Sequence, residues 1–264
     1  MDKENDFIFS LKSPGEAKLG SFILSYGHFY DQSGHHRQKQ ILPSNNVSLI
    51  FNFKAAKING QVCPDIMLVG LHENVYLMTP AQREIETVII QFSSFGFARF
   101  SDTPVSEITE TFVNAERVFG DSIRDLFNQM RSTGDFEIRN QLLDSFFCRA
   151  IRNENHYFLY VSKLAGILQK YPGPTVAYRN DFDLYPLSSR HMARVFKDQI
   201  GVNAQTFRRL SRFVVAKNLL YQPKPYSLAA IGYASGYYDP AHFSREFKKL
   251  SGHNAKNSDP ICPL

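Results

Sequence analysis

Two short segments in the second half of the sequence set arginine and lysine at helical spacing opposite a row of apolar side chains. In the first, Leu187 to Gly201, the residues Met192, Val195, Phe196 and Ile200 recur at steps of three and four and share one helix face. Ser189, Arg190, Ala193, Arg194 and Lys197 fall on the other face. Ser188 stands where an N-cap hydroxyl can accept a free first-turn N–H, and Gly201 stands where a helix ends in a left-handed residue. An exposed arginine on such a helix can enter a major groove and bind guanine through two hydrogen bonds. A basic surface helix with no ligand would show the same pattern.

The second segment, Ser227 to Gly252, has more grammar. Ser227 caps a short helix carrying Leu228 and Ile231, Gly236 supplies a tight turn, and Asp239 caps the next helix. Pro240 sits at its first position, where a missing N–H costs nothing. Phe243, Phe247 and Leu250 form the apolar face; Ala241, His242, Arg245 and Lys249 face away. Helix, glycine turn and capped helix together spell a helix-turn-helix. Between the segments, Asn203 to Tyr221 shows two apolar stripes, Phe207-Leu210-Val214 and Phe213-Ala216-Leu220, which predicts a helix buried between two bodies. Its length, about 27 Å at the usual rise, suits two reading helices held about one DNA turn, roughly 34 Å, apart.

Charge separates the halves. Residues 1–154 hold 15 Lys and Arg against 19 Asp and Glu, and residues 155–264 hold 15 against 6. A mildly acidic half joined to a strongly basic one suggests a regulatory domain attached to a polyanion-binding domain.

The ordered string Ser188, Arg190, Met192, Arg194, Phe196-Lys197, Gly201-Val202, Phe207, Arg212 and Ala216-Lys217-Asn218-Leu219-Leu220 continues through Ser227-Leu228, Ile231, Ala234 and Gly236-Tyr237. It ends with Asp239, His242-Phe243, Arg245, Phe247-Lys248 and Gly252. In this string, residues of about 185–255 resemble the AraC/XylS family of transcription regulators. The resemblance implies an all-α, seven-helix double helix-turn-helix domain, here 154–264, tethered to an effector or dimerisation domain, here 1–153. It also implies double-stranded DNA and RNA polymerase as partners and a role as an activator. The first helix of the first motif is expected near Thr175–Leu184, where Tyr178 to Asp183 depart from the family's small-residue pattern and Pro186 from its turn. Pro240 and Ala241 stand where the family often has polar readers, so base contacts in the second motif are expected from His242 and Arg245 and phosphate contacts from Lys248 and Lys249.

Stepping along the first half, apolar runs such as Val47–Phe53, Val75–Met78 and Thr87–Phe92, punctuated by Asn59-Gly60 and Pro43–Asn46, read as strands over residues 7 to about 105. Asn59-Gly60 predicts a hairpin. Helical spacing follows over 114–131 and 135–152, and again over Tyr157–Lys170. The expected fold is α+β and multidomain: an N-terminal cupin-like β-barrel with two helices, then the all-α domain. Phe51, Phe53, Tyr76, Phe92, Phe95 and Phe97 could line an effector pocket in the barrel or simply fill its core. Leu143, Phe146 and Phe147 could form a homodimer seam or pack on the barrel.

Other chemistry finds little support. His28, His35, His36 and His72 lack metal-ligand spacing, and no nucleophile motif, phosphate loop or carboxylate pair stands out, so no catalytic residue, metal or cofactor is expected. Cys63, Cys148 and Cys262 are isolated, and no apolar run spans a bilayer, so a cytoplasmic protein without membrane contact is expected. The alternative is a ligand-binding or interaction protein whose DNA-binding domain has degenerated.

Overall fold

The computed structural model describes residues 7–32, 39–81, 84–152, 156–170, 172–173, 186–222 and 226–257. The strands are β1 (Phe7–Lys12), β2 (Ile23–Asp31), β3 (Lys39–Ile41), β4 (Ser48–Asn52), β5 (Ala56–Ile58), β6 (Gln61–Val62), β7 (Ile66–Val69), β8 (Tyr76–Pro80), β9 (Ile85–Phe92) and β10 (Phe112–Asn114). They form a six-stranded sheet in the order β1-β2-β9-β4-β7-β10 and a four-stranded sheet in the order β3-β8-β5-β6, with antiparallel pairing. Asn59-Gly60 joins β5 to β6 as a two-residue turn, Ile58 facing Gln61. Both turn residues have positive φ, 49° and 84°, the backbone that matches strand twist.

The apolar runs are continuous because the larger sheet is buried on both faces. Ile50, Met67 and Ile89 point to the smaller sheet, where Ile41, Ile58 and Met78 meet them. Leu49, Phe51, Val88 and Ile90 point to the other face, under α2 (Asp121–Arg131) and α3 (Phe136–Ala150). The single helix expected over 114–131 is instead β10, α1 (Glu116–Phe119) and α2, broken at Gly120. Leu143, Phe146 and Phe147 turn inward, Phe147 meeting Phe92 and Phe100 at ring distances of 5.6 and 5.1 Å, so they take the packing role and not that of a dimer seam.

One cation is buried in this layer. Arg139 of α3 donates from Nη1 to Glu86 Oε1 at 2.7 Å and from Nε to the carbonyls of Met130 and Thr133 at 3.0 and 2.9 Å. Its guanidinium lies 4.1 Å from the Phe53 ring centroid. A buried charge is tolerated when so paired and hydrogen-bonded, and it fixes α3 against β9.

The second half is helical: α4 (Phe158–Lys170), α5 (Ser189–Ile200), α6 (Ala204–Leu220), α7 (Leu228–Ala234) and α8 (Pro240–Ser251). The helix expected near Thr175–Leu184 lies outside the described residues. One apolar cluster runs from the helical face of the larger sheet through Val105 and Ile108 into Val161, Leu164, Met192, Phe196, Phe207 and Leu210. A second gathers Phe213, Ala216, Ile231, Phe243, Phe247 and Leu250, with Leu42 from the first half. Helix α6 therefore lies between two cores, as its two stripes predict. Polar contacts join the halves as well: Asn45 Nδ2 donates to Ser211 Oγ at 3.1 Å, Gln169 Nε2 to Ser94 Oγ at 2.6 Å, and Arg209 pairs with Glu73.

Candidate nucleic-acid interface

Helix α5 begins where expected. Ser188 is extended, and its hydroxyl accepts from the His191 N–H at 3.3 Å. Met192, Val195, Phe196 and Ile200 are buried, each contributing about 1.5–3 kcal/mol against about 1 kcal/mol for the cap, so packing rather than capping holds the helix. Ser189, Arg190, Ala193, Arg194 and Lys197 are all exposed. Gly201 ends the helix at φ 103°, and a Cβ there would stand 2.4 Å from Thr109 Oγ1 and 3.1 Å from Val105 Cγ1. The first motif thus rests on residues 105–109 of the N-terminal half.

The second motif follows the same logic. Ser227 Oγ accepts from the Ala230 N–H at 3.2 Å, and Asp239 Oδ1 accepts from the His242 N–H at 2.7 Å with Pro240 at the first helical position. Gly236 turns at φ 81°, and a Cβ there would meet Gly173 N at 2.5 Å, so this turn leaves no room for a side chain. Phe243, Phe247 and Leu250 are buried. Ala241, Arg245, Lys248 and Lys249 are exposed, and His242 is partly so.

The arginines of this half divide into two sets. Arg208 donates to the Pro172 carbonyl at 3.0 Å, Arg209 pairs with Glu73, and Arg212 reaches Glu246 at 3.4 Å while lying 5.2 Å from the Tyr237 ring centroid. These three are occupied in holding the fold. By contrast, no hydrogen bond or ion pair to a described residue engages the side chains of Arg190, Arg194, Lys197, Arg245, Lys248 or Lys249. Six unneutralised cations on two capped helices form an electropositive surface able to take phosphate oxygens and base edges. The sequence offered no way to sort Arg212 from Arg245, because pairing depends on which carboxylate the fold brings near. Two further residues enter only with the structure: Tyr233 and Tyr238 flank the turn of the second motif at 61% and 79% exposure, where phenol hydroxyls can donate to phosphates.

The six aromatics considered for an effector pocket do not converge on one cavity. Phe51 and Phe53 stack on Phe127 at 6.2 and 5.3 Å, Phe92 and Phe97 meet edge to face at 5.3 Å, and Phe95 packs on Phe158 at 5.9 Å. Tyr76 lies apart, beside His72 and Phe112. The space between the two sheets is about 10 Å³, room for about one water. His28 stacks on Phe136 and faces Glu86 at 3.6 Å, and His72 is buried with Nδ1 donating to the Asn74 carbonyl at 2.9 Å. His35 and His36 lie outside the described residues. Among the described residues no group of three or more His, Cys, Asp or Glu is placed to hold a metal ion, and no helix is long and apolar enough to cross a membrane.

Comparison with known proteins places these features. Residues 184–257 match a helix-turn-helix domain family, and residues 13–114 match a domain family of unknown function, DUF6597. The HTH-type transcriptional regulator GlxA of Rhizobium meliloti (strain 1021) is 41% identical over 64 residues, 24% of this chain and 19% of that protein. The chain thus spans about a fifth of the length of that curated relative. Among solved structures, ToxT of Vibrio cholerae strain SCE256 with an unsaturated fatty acid bound aligns over 97% of this chain and 95% of its own, at 11% identity and a TM-score of 0.50. ToxT of Vibrio cholerae O395 aligns over 89% and 95%, at 13% identity and a TM-score of 0.47. The first of these likenesses is one of fold. Helices α5 to α8, with α6 between the two exposed basic helices, lie within the residues that match the helix-turn-helix domain family.

Proposed function

We propose that the chain is a sequence-specific regulator of transcription, with residues 154–264 binding double-stranded DNA and residues 1–153 responding to a small-molecule effector. The observation that carries this reading is the set of six cations on α5 and α8 that no described residue pairs, each helix held by a buried apolar face and a capped N-terminus. Arg190, Arg194, His242 and Arg245 would read base edges; Ser189, Lys197, Lys248 and Lys249 would take phosphates; Ala193 and Ala241 would allow close approach to the groove. The resemblance of residues 185–255 to the AraC/XylS family supports RNA polymerase as a partner, a non-enzymatic role and a cytoplasmic setting. A homodimer is part of the same reading, and sedimentation equilibrium measures it. The fatty acid named for the ToxT structure supports an effector in principle.

The test is fluorescence anisotropy with labelled genomic fragments across a salt series. The three lysines assigned to phosphates give a slope of log K against log salt of about −3. At least one fragment should bind about a thousandfold more tightly than random duplex. Equal affinity for every fragment removes the specific-regulator reading. The second reading, an interaction protein with a degenerate DNA-binding domain, is favoured by the seating of Gly201 on Thr109, which ties the first motif to the N-terminal half. It predicts no fragment preference at any salt concentration.

A further inference from the structure

Between the two halves lies a cavity of about 770 Å³, within the size range of small-molecule sites. Its walls come from both halves: Phe9 and Leu24 from β1 and β2, Gln91 from β9, Gln169 from α4, and Val214 and Lys217 from α6. Apolar side chains form only part of the lining. Seven carboxamides, among them those of Asn45, Asn46, Gln91, Gln169 and Asn218, face the space together with one cation, Lys217, and no carboxylate.

The lining is built rather than incidental. Ser94 Oγ accepts from Gln169 Nε2 at 2.6 Å and donates to Asn46 Oδ1 at 2.8 Å, and Asn45 is fixed on Ser211 at 3.1 Å. These bonds hold three of the seven amides in one orientation. No hydrogen bond to a described residue engages the side chains of Gln91 or Asn218. Lys217 is half-buried, and no hydrogen bond or ion pair to a described residue engages its ammonium. Burial lowers the pKa of that ammonium from the ordinary lysine value, and no carboxylate offsets the effect. A half-buried cation facing a cavity without a carboxylate favours an anion from solution.

We propose that this cavity binds a small organic monocarboxylate bearing hydroxyl or amide groups, with its carboxylate on Lys217 and its polar body along the lining amides. One cation balances one negative charge; a dianion would carry an uncompensated charge into the cavity. A long alkyl chain would cover the amides without pairing them. The site also sits where an occupant can be sensed. Val214, Val215 and Lys217 face the cavity, while Phe213 and Ala216 of the same helix belong to the core that carries α8. For this consequence the inference rests on the regulator reading; binding itself does not.

Isothermal titration calorimetry on the full chain tests it, using gluconate and N-acetylglycinate as probes and glucose, citrate and octanoate as comparators. At least one of the two polar monocarboxylates should bind at one per chain, at least tenfold more tightly than each comparator. Lys217→Gln should weaken that binding at least tenfold with an unchanged thermal unfolding profile. Val215→Phe, which fills the cavity without touching the charge, should do the same if Lys217→Gln does not fold. Absence of binding by both polar probes, tighter binding of octanoate or citrate, or wild-type affinity in a folded variant overturns the proposal. Duplex binding by the unliganded chain, measured alongside, separates the two readings: it can persist when the titration fails, and the titration can succeed when duplex binding fails.

Discussion

Replacing Gly201 by Ala tests whether the first motif is seated on the N-terminal half. At φ 103° an L-residue costs about 1–2 kcal/mol from its own backbone. The new Cβ would also stand 2.4 Å from Thr109 Oγ1 and 3.1 Å from Val105 Cγ1, so residues 105–109 must shift, an overpacking cost of about 1–3 kcal/mol. Gly201→Ala should therefore lose about 2–5 kcal/mol in urea unfolding. Thr109→Ala alone removes the hydroxyl that donates to the Val105 carbonyl at 3.0 Å and should cost about 1 kcal/mol. In the double variant the nearer clash is gone, so the loss should fall short of the sum of the singles by about 1–3 kcal/mol. Backbone strain is untouched by Thr109→Ala, so the shortfall reports the contact alone. Additivity within about 0.5 kcal/mol would refute the docking of α5 on residues 105–109.

Further outcomes follow from the arginine division and from two titrating groups. Arg194→Ala or Arg245→Ala should cost about 1–3 kcal/mol of binding at one base position with unfolding midpoints unchanged, whereas Arg212→Ala should lower the midpoint by leaving the half-buried Glu246 without its cation. Competition binding against single-base variants of the preferred fragment, with thermal melts alongside, checks this, and a stability loss in Arg245→Ala equal to that in Arg212→Ala would defeat the division. Burial holds the His72 imidazole down to about 4, and the His28 ring first, with the Arg139 guanidinium, holds the Glu86 carboxyl down to about 2. Both folded values lie below those of the free groups, 6.5 and 4.5, so the unfolded chain takes up protons first and stability falls with pH. His72 contributes stability fully above pH 6.5 that is lost towards 4, and Glu86 contributes stability above 4.5 that is lost towards 2. His72→Asn should flatten the upper window in unfolding titrations and leave the lower one; an unchanged slope between pH 6.5 and 4 would contradict the assignment.

Much of the helical second half is legible in the residues because its signals are local. Ser188 and Asp239 cap within three residues, and Phe243, Phe247 and Leu250 declare a face within two turns. Gly201 and Gly236 follow helix ends at positive φ, so sequence reading places α5, α7 and α8 without tertiary information. Where the first half was misread, local spacing was outvoted: Gly120 divides what periodicity joins, and β10 takes Phe112–Asn114 because β7 offers it hydrogen-bond partners at Met67–Val69.

The cavity between the two halves belongs to the tertiary structure alone. Asn45 meets Ser211 across 166 positions and Ser94 meets Gln169 across 75, and nothing in the type of either residue names its partner. The same holds for charge: Arg209, Arg212 and Arg245 are identical in the sequence, and only the approach of Glu73 and Glu246 makes two of them structural and leaves the third to the solvent. Capping and periodicity act over one or two helical turns and so are written in order along the chain. Counter-charge and enclosure act across space, and folding alone determines which side chains share them.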